Sequence, residues 1–147
     1  MSQRTRYSGA ILQDGYILLI QHHYFASAER WWLLPGGGRE PGETEEETVR
    51  REMLEETGLQ VRVERLLIEE FVDDRGVYDC YRTYLCTPVG GMAKPGYEPE
   101  PEPSAMYEIA ALRWLPLSDE STWEEDLRLN PIMGPLLRKI REQLANG

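Results

Sequence analysis

Cysteine is scarce in this chain, with two thiols in 147 residues, Cys80 and Cys86. Both fall in residues 77–87, which read as one strand. Six residues at about 3.3 Å each would part them by ~20 Å, whereas disulfide-bonded α-carbons lie within about 7 Å. Free, buried packing thiols are expected, as suits a reducing cytoplasm. Positive charge is short as well: 16 Lys and Arg face 26 Asp and Glu, a formal charge of -10. That balance repels polyanions and argues against duplex nucleic acid as the main partner, while a small anion whose charge is met locally by metal ions stays admissible. Long apolar runs are missing. The stretches at 16–20 and 31–34 fall far below the roughly 20 residues that span a bilayer, so no membrane partner is expected, and residues 1–6 lack the apolar run of a signal peptide. The length suits one ordinary domain over residues 1–147, and no internal repeat is evident.

The pattern then yields elements. Residues 7–13 and 16–21 are apolar runs around Asp14-Gly15, a hairpin signature. Residues 31–34 read as a strand ended by Pro35 and by Gly36, Gly37 and Gly38, glycines that stop a strand and permit close backbone approach. Thr44 with Glu47 makes a capping box, and Gly58 closes the helix that it opens. Glu46 with Arg50 and Glu47 with Arg51 are i,i+4 pairs on that helix. Residues 61–72 and 77–87 predict a second hairpin around Asp73-Asp74-Arg75-Gly76. Residues 94–104, where Pro99, Pro101 and Pro103 alternate with glutamates, favour an exposed, extended loop. A strand at 109–115, a short helix at 121–129 and an amphipathic helix from Gly134-Pro135 complete the chain.

One helix breaks the electrostatic rules. Glu52, Glu55 and Glu56 share an arc of about 100°. They repel one another, they sit at the negative end of the helix dipole, and they border the apolar stripe of Val49 and Met53. A solvated acidic face is one reading. The other is a site for a hard divalent cation, which takes carboxylate oxygens at this spacing.

Nine residues favour the second reading: Gly37, Glu43, Arg51, Glu52, Met53, Glu55, Glu56, Gly58 and Leu59. They fill every constrained position of G-x5-E-x7-R-E-U-x-E-E-x-G-U, with U a bulky aliphatic residue. The sequence resembles the Nudix hydrolases. The resemblance implies an α+β fold, an α/β/α sandwich with a mixed sheet between helices. It also implies metal-dependent hydrolysis of a phosphoanhydride in a nucleoside diphosphate linked to another moiety: a nucleoside triphosphate, a nucleotide sugar or a dinucleoside polyphosphate. Glu52, Glu55 and Glu56 would hold Mg2+, or Mn2+ in its place. Glu52 is the first choice of base, with Arg51 orienting it. Gly37, Gly38, Glu43 and Gly58 would support the motif. A later carboxylate, Glu98, Glu100, Glu102 or Glu108, is the rival as base or extra ligand, against a charged spacer as the plain reading of their segment. Arg39 is a candidate phosphate contact. His22 and His23 read as surface or packing residues, and Trp31, Trp32, Tyr78, Tyr81 and Trp114 as core residues, any of which could stack on a base. A non-catalytic nucleotide-sensing module is the alternative function; a homodimer is compatible with either.

Overall fold

The computed structural model describes residues 4–72, 78–97 and 101–146, without the side chains of residues 101–103. β1 (Thr5–Gln13) and β2 (Tyr16–Tyr24) form the expected hairpin, pairing Leu12 with Ile17 and Gln13 with Tyr16. Asp14 and Gly15 turn it with φ of 52° and 84°, the left-handed conformation that a two-residue hairpin turn requires at both positions.

Beyond the turn the two strands part company. β2 takes β3 (Arg30–Leu33) as antiparallel neighbour on one side. β1 instead pairs in parallel with β6 (Cys80–Gly91), from Thr5 opposite Cys80 to Ile11 opposite Cys86. β6 pairs antiparallel with β5 (Leu59–Phe71). β7 (Tyr107–Pro116) runs antiparallel along β2, from Tyr16 opposite Pro116 to Tyr24 opposite Tyr107. The result is a mixed sheet that forks where β1 leaves β2.

Helices cover both faces. Alternate residues of β2 point to opposite sides: Leu18 joins Val49 and Met53 of α1 (Glu45–Thr57), while Ile17 and Leu19 join Leu137 and Ile140 of α4 (Met133–Asn146). The α4 side also holds Trp123, whose indole N–H donates to Pro116 O at 2.7 Å. Cys80 and Cys86 are free and buried, and burial pushes the Cys86 thiol up to about 12. Among the described residues, no helix is long and apolar enough to cross a membrane.

Four expectations need correction. The glycines do not end strand pairing: Gly36–Gly37 forms a short β4 against Ser8 and Tyr7 of β1. The predicted loop at 94–104 contains α2 (Pro101–Met106). Proline is compatible with a first helical turn, whose N–H groups have no partner within the helix. Strand β6 also continues through Pro88, opposite Val61, where a register shift between Gln60 and Val61 relieves the need for a donor. The expected turn at 73–76 lies outside the described residues. The predicted helix at 121–129 is a 3₁₀ turn, Glu120–Thr122, followed by α3 (Glu125–Arg128).

Candidate active site

The phase of α1 is set at both ends. Thr44 Oγ1 accepts from the Glu47 N–H at 3.1 Å, and the Glu47 carboxylate accepts from the Thr44 N–H at 3.4 Å. Gly58, at φ 75°, closes the helix by donating to Leu54 O at 3.0 Å. With the ends fixed, Val49 and Met53 enter the core, and the residues one turn apart beside them follow. Glu52 is 6% exposed and Glu56 1% exposed. Burial of two carboxylates on one helix face costs several kcal/mol unless charge is supplied nearby.

The glycine segment receives these carboxylates. The Gly36 N–H donates to Glu56 Oε1 at 2.6 Å. A Cβ on Gly37 would stand 2.4 Å from Glu52 Oε1, so this position has no room for a side chain. Gly38 contributes its carbonyl, which accepts from Arg51 Nη2 at 3.0 Å. Arg51 is the hub. Its Nε and Nη2 grip both oxygens of Glu43 at 2.7 and 3.0 Å, while Nη1 reaches Glu52 at 3.0 Å and Glu55 at 3.2 Å. The expected pairing of Arg51 with Glu47 does not form, since Glu47 is committed to the cap and Arg51 turns toward these acceptors. Glu46 and Arg50 do pair, at 3.6 Å.

These contacts separate the protonation behaviour of neighbouring carboxyls. The Arg51 hydrogen bonds hold Glu43 down to about 2 against its partial burial, helped by the Glu40 N–H and the Thr48 hydroxyl. Burial pushes Glu52 up to about 7; the charge of Glu55 adds to the rise, while Arg51 and Arg6 oppose it. Glu43, Glu52 and Glu55 thus stand around one guanidinium and Glu56 against the Gly36 N–H, an excess of negative charge at the base of a glycine loop.

The NUDIX domain family model matches residues 3–140. The chain belongs to the Nudix family. That family is one of pyrophosphohydrolases, and solved Nudix structures share the fold. An ADP-ribose pyrophosphatase from Streptococcus suis is 23% identical, with 96% of this chain and 91% of that one covered at a TM-score of 0.69. A MutT NUDIX hydrolase from Burkholderia pseudomallei is 26% identical over 98% of this chain and 99% of that one, at 0.64. A UDP-X diphosphatase is 21% identical over 99% of this chain, at 0.70, and this chain spans 64% of its length. No curated protein matches the chain.

The Nudix motif at residues 37–59 maps onto one contiguous body, β4 with its following loop and α1; Gly37, Gly38, Glu43, Arg51, Glu52, Glu55 and Glu56 lie together between loop and helix, and Gly58 closes the helix's far end. Among the described residues, however, no three acidic, imidazole or thiol groups already surround a common cation position. Arg51 gathers Glu52 and Glu55 onto itself. The donor set still fits a hard cation: all-oxygen, negatively charged in excess and partly desolvated. Arg39 is exposed, and its Nη1 donates to Glu43 O at 3.3 Å. Glu108 is exposed on β7 and pairs with His23 at 3.1 Å. Glu98 and Glu100 lie outside the described residues, as does the side chain of Glu102. His22 is a packing residue, stacked on Tyr107 with centroids 4.0 Å apart. Trp31 is exposed rather than core, and Trp114 packs beside the α1 cluster.

Sequence reasoning missed the segment after β6. Residues 94–97 lie against the end of α1: the N–H groups of Lys94, Gly96 and Tyr97 donate to the carbonyls of Thr57, Glu56 and Glu55. Pro95-Gly96 was the available signal, a turn dipeptide inside a segment read only as an exposed loop.

Proposed function

We propose that the chain hydrolyses a phosphoanhydride bond in a nucleoside diphosphate linked to another group, with Glu52, Glu55 and Glu56 holding Mg2+ or, in its place, Mn2+. The observation that carries this reading is the surplus of buried carboxylate over cation: Glu43, Glu52 and Glu55 share Arg51, Glu56 lies on the same helix against the Gly36 N–H, and Glu52 and Glu56 are almost fully enclosed. When bound, the divalent ion would supply the missing positive charge and stabilise negative charge on the phosphate oxygens.

Glu52 is the base in this reading. Burial and the Glu55 charge raise its pKa to about 7 while no cation is bound, and a divalent ion held beside it would pull that value down and keep the carboxylate ionised and able to accept a proton. Arg51 fixes the Glu52 oxygen that it touches and ties the helix to Gly38. Gly37 leaves room for the Glu52 carboxylate against the loop, since a side chain there would occupy the same space. The similar structures named for ADP-ribose and for UDP-X support a nucleoside diphosphate derivative as the substrate class. One domain over residues 1–147 and a cytoplasmic location belong to the same reading, the latter in keeping with the free buried thiols.

A panel of ADP-ribose, UDP-sugar, nucleoside triphosphates and dinucleoside polyphosphates, assayed for phosphate or nucleotide release, tests this directly. Turnover of at least one compound with Mg2+ and its loss on chelation are expected. Tight nucleotide binding with no turnover of any compound would establish the nucleotide-sensing module instead.

A further inference from the structure

The last carbonyls of an α-helix find no partner within the helix and usually turn to water. In α1 those carbonyls belong to the residues that carry the site. Here they are covered by backbone: Tyr97 N–H donates to Glu55 O at 3.2 Å, Gly96 N–H to Glu56 O at 2.9 Å and Lys94 N–H to Thr57 O at 2.9 Å. The approach is closer than any side chain permits. A Cβ on Gly96 would lie 1.7 Å from Glu55 O and 2.8 Å from Glu56 Cα. Two more glycines make room for the same crossing, since a Cβ on Gly58 would meet Met92 O at 2.5 Å and one on Gly91 would meet Gly58 O at 2.3 Å.

Closing off the helix needs none of this, because Gly58 already caps α1 through Leu54 O. What the added donors do is specific to the last turn. They meet the partial negative charge that the helix dipole places there, beside two carboxylates that suffer from it. They also hold the backbone from which Glu55 and Glu56 project.

We propose that residues 94–97 form a backbone clamp that fixes the last turn of α1 and thereby positions Glu55 and Glu56, with Gly96 as the positioning residue. Its catalytic meaning rests on the assignment of those glutamates as metal ligands. The clamp itself does not.

Hydrogen exchange of the metal-free protein reads the clamp, and calorimetric titration with Mn2+ reads its consequence. In Gly96→Ala, the amides of 94, 96 and 97 and of the last turn, 55–58, are expected to exchange about tenfold faster or more, with those of Val49 and Met53 unchanged. Mn2+ affinity should fall by about tenfold, and kcat should fall with little change in KM. Lys94→Pro, which removes the donor to Thr57 O alone, should shift both readings the same way by less. Met92→Ala, in the same segment and 80% exposed, should shift neither. If the amides of 94, 96 and 97 open in Gly96→Ala while the last turn and Mn2+ affinity stay as in the wild type, the clamp positions nothing. If exchange does not change at all, Gly96 is not required. Should Gly96→Ala fail to fold, Lys94→Pro decides by the same readings. A wild type that binds no Mn2+ would overturn the proposed function, and exchange in residues 55–58 would still decide the clamp.

Discussion

α1 and α4 cover opposite faces of one sheet, yet they bury opposite kinds of side chain. α4 encloses Met133, Leu137 and Ile140, all of which gain by leaving water. α1 encloses Val49 and Met53 but also Glu52 and Glu56, whose burial opposes folding. Both helices pack on β-strands, so the contrast is one of purpose: α4 stabilises, and α1 spends part of that stability on a charged site.

Substitutions should divide along this contrast. The largest effect is expected in α1, where Glu55→Gln or Glu56→Gln keeps the shape of the side chain and removes its charge. Turnover should fall by about 10²–10⁴-fold, while the urea midpoint stays level or rises; near-wild-type kcat in both variants would remove them from the metal site. Leu137→Ala, in α4, should do the reverse, costing about 2–5 kcal/mol in chemical denaturation and leaving kcat of the folded fraction intact. A parallel loss of kcat would show that the two helices are not separable.

His22 sharpens the comparison by adding a titratable group to the packing beneath the sheet. Burial, with Arg6 nearby, lowers its pKa to about 3 from an ordinary 6.5. Unfolded, it takes up a proton near pH 6.5; folded, it resists until near pH 3. Its contribution to stability is complete above pH 6.5 and falls as pH drops toward 3, by at most about 1.4 kcal/mol per pH unit. His22→Phe, which preserves a ring against Tyr107, should flatten the stability profile between pH 7 and 5, and an unchanged slope would mean that other groups set it. The smallest effect belongs to the helix cap: Thr44→Ala should cost about 1 kcal/mol, visible as a lower melting temperature with kcat preserved.

What could be read from the sequence was local. Thr44, Glu47 and Gly58 sit within a few residues of the groups they bond, so the limits of α1 followed from residue chemistry, and its 3.6-residue period placed Glu52, Glu55 and Glu56 together. The hairpin at Asp14-Gly15 is local for the same reason. The parallel pairing of β1 with β6 was not legible, because its partners are far apart in the chain and periodicity carries no information about which strand lies beside which. Arg51 misled in a simpler way. The i,i+4 rule offered Glu47, but a helix side chain that faces a loop can choose from acceptors that sequence spacing does not reveal. Residues 94–97 escaped notice because they act through N–H groups, which every residue but proline carries.

The parallel ladder has a consequence for the order in which the protein is made. Thr5 precedes its neighbour Cys80 by 75 residues, so during translation the N-terminal hairpin emerges long before the strand that covers its β1 edge. At bacterial or eukaryotic synthesis rates of about 5–20 residues per second, that edge waits for several seconds or more. An uncovered edge rich in Tyr7, Ala10 and Ile11 is a template for pairing with other chains. The nascent chain is therefore most exposed to aggregation before β6 is complete, and a chaperone that shields the first hairpin would act at the point of greatest need.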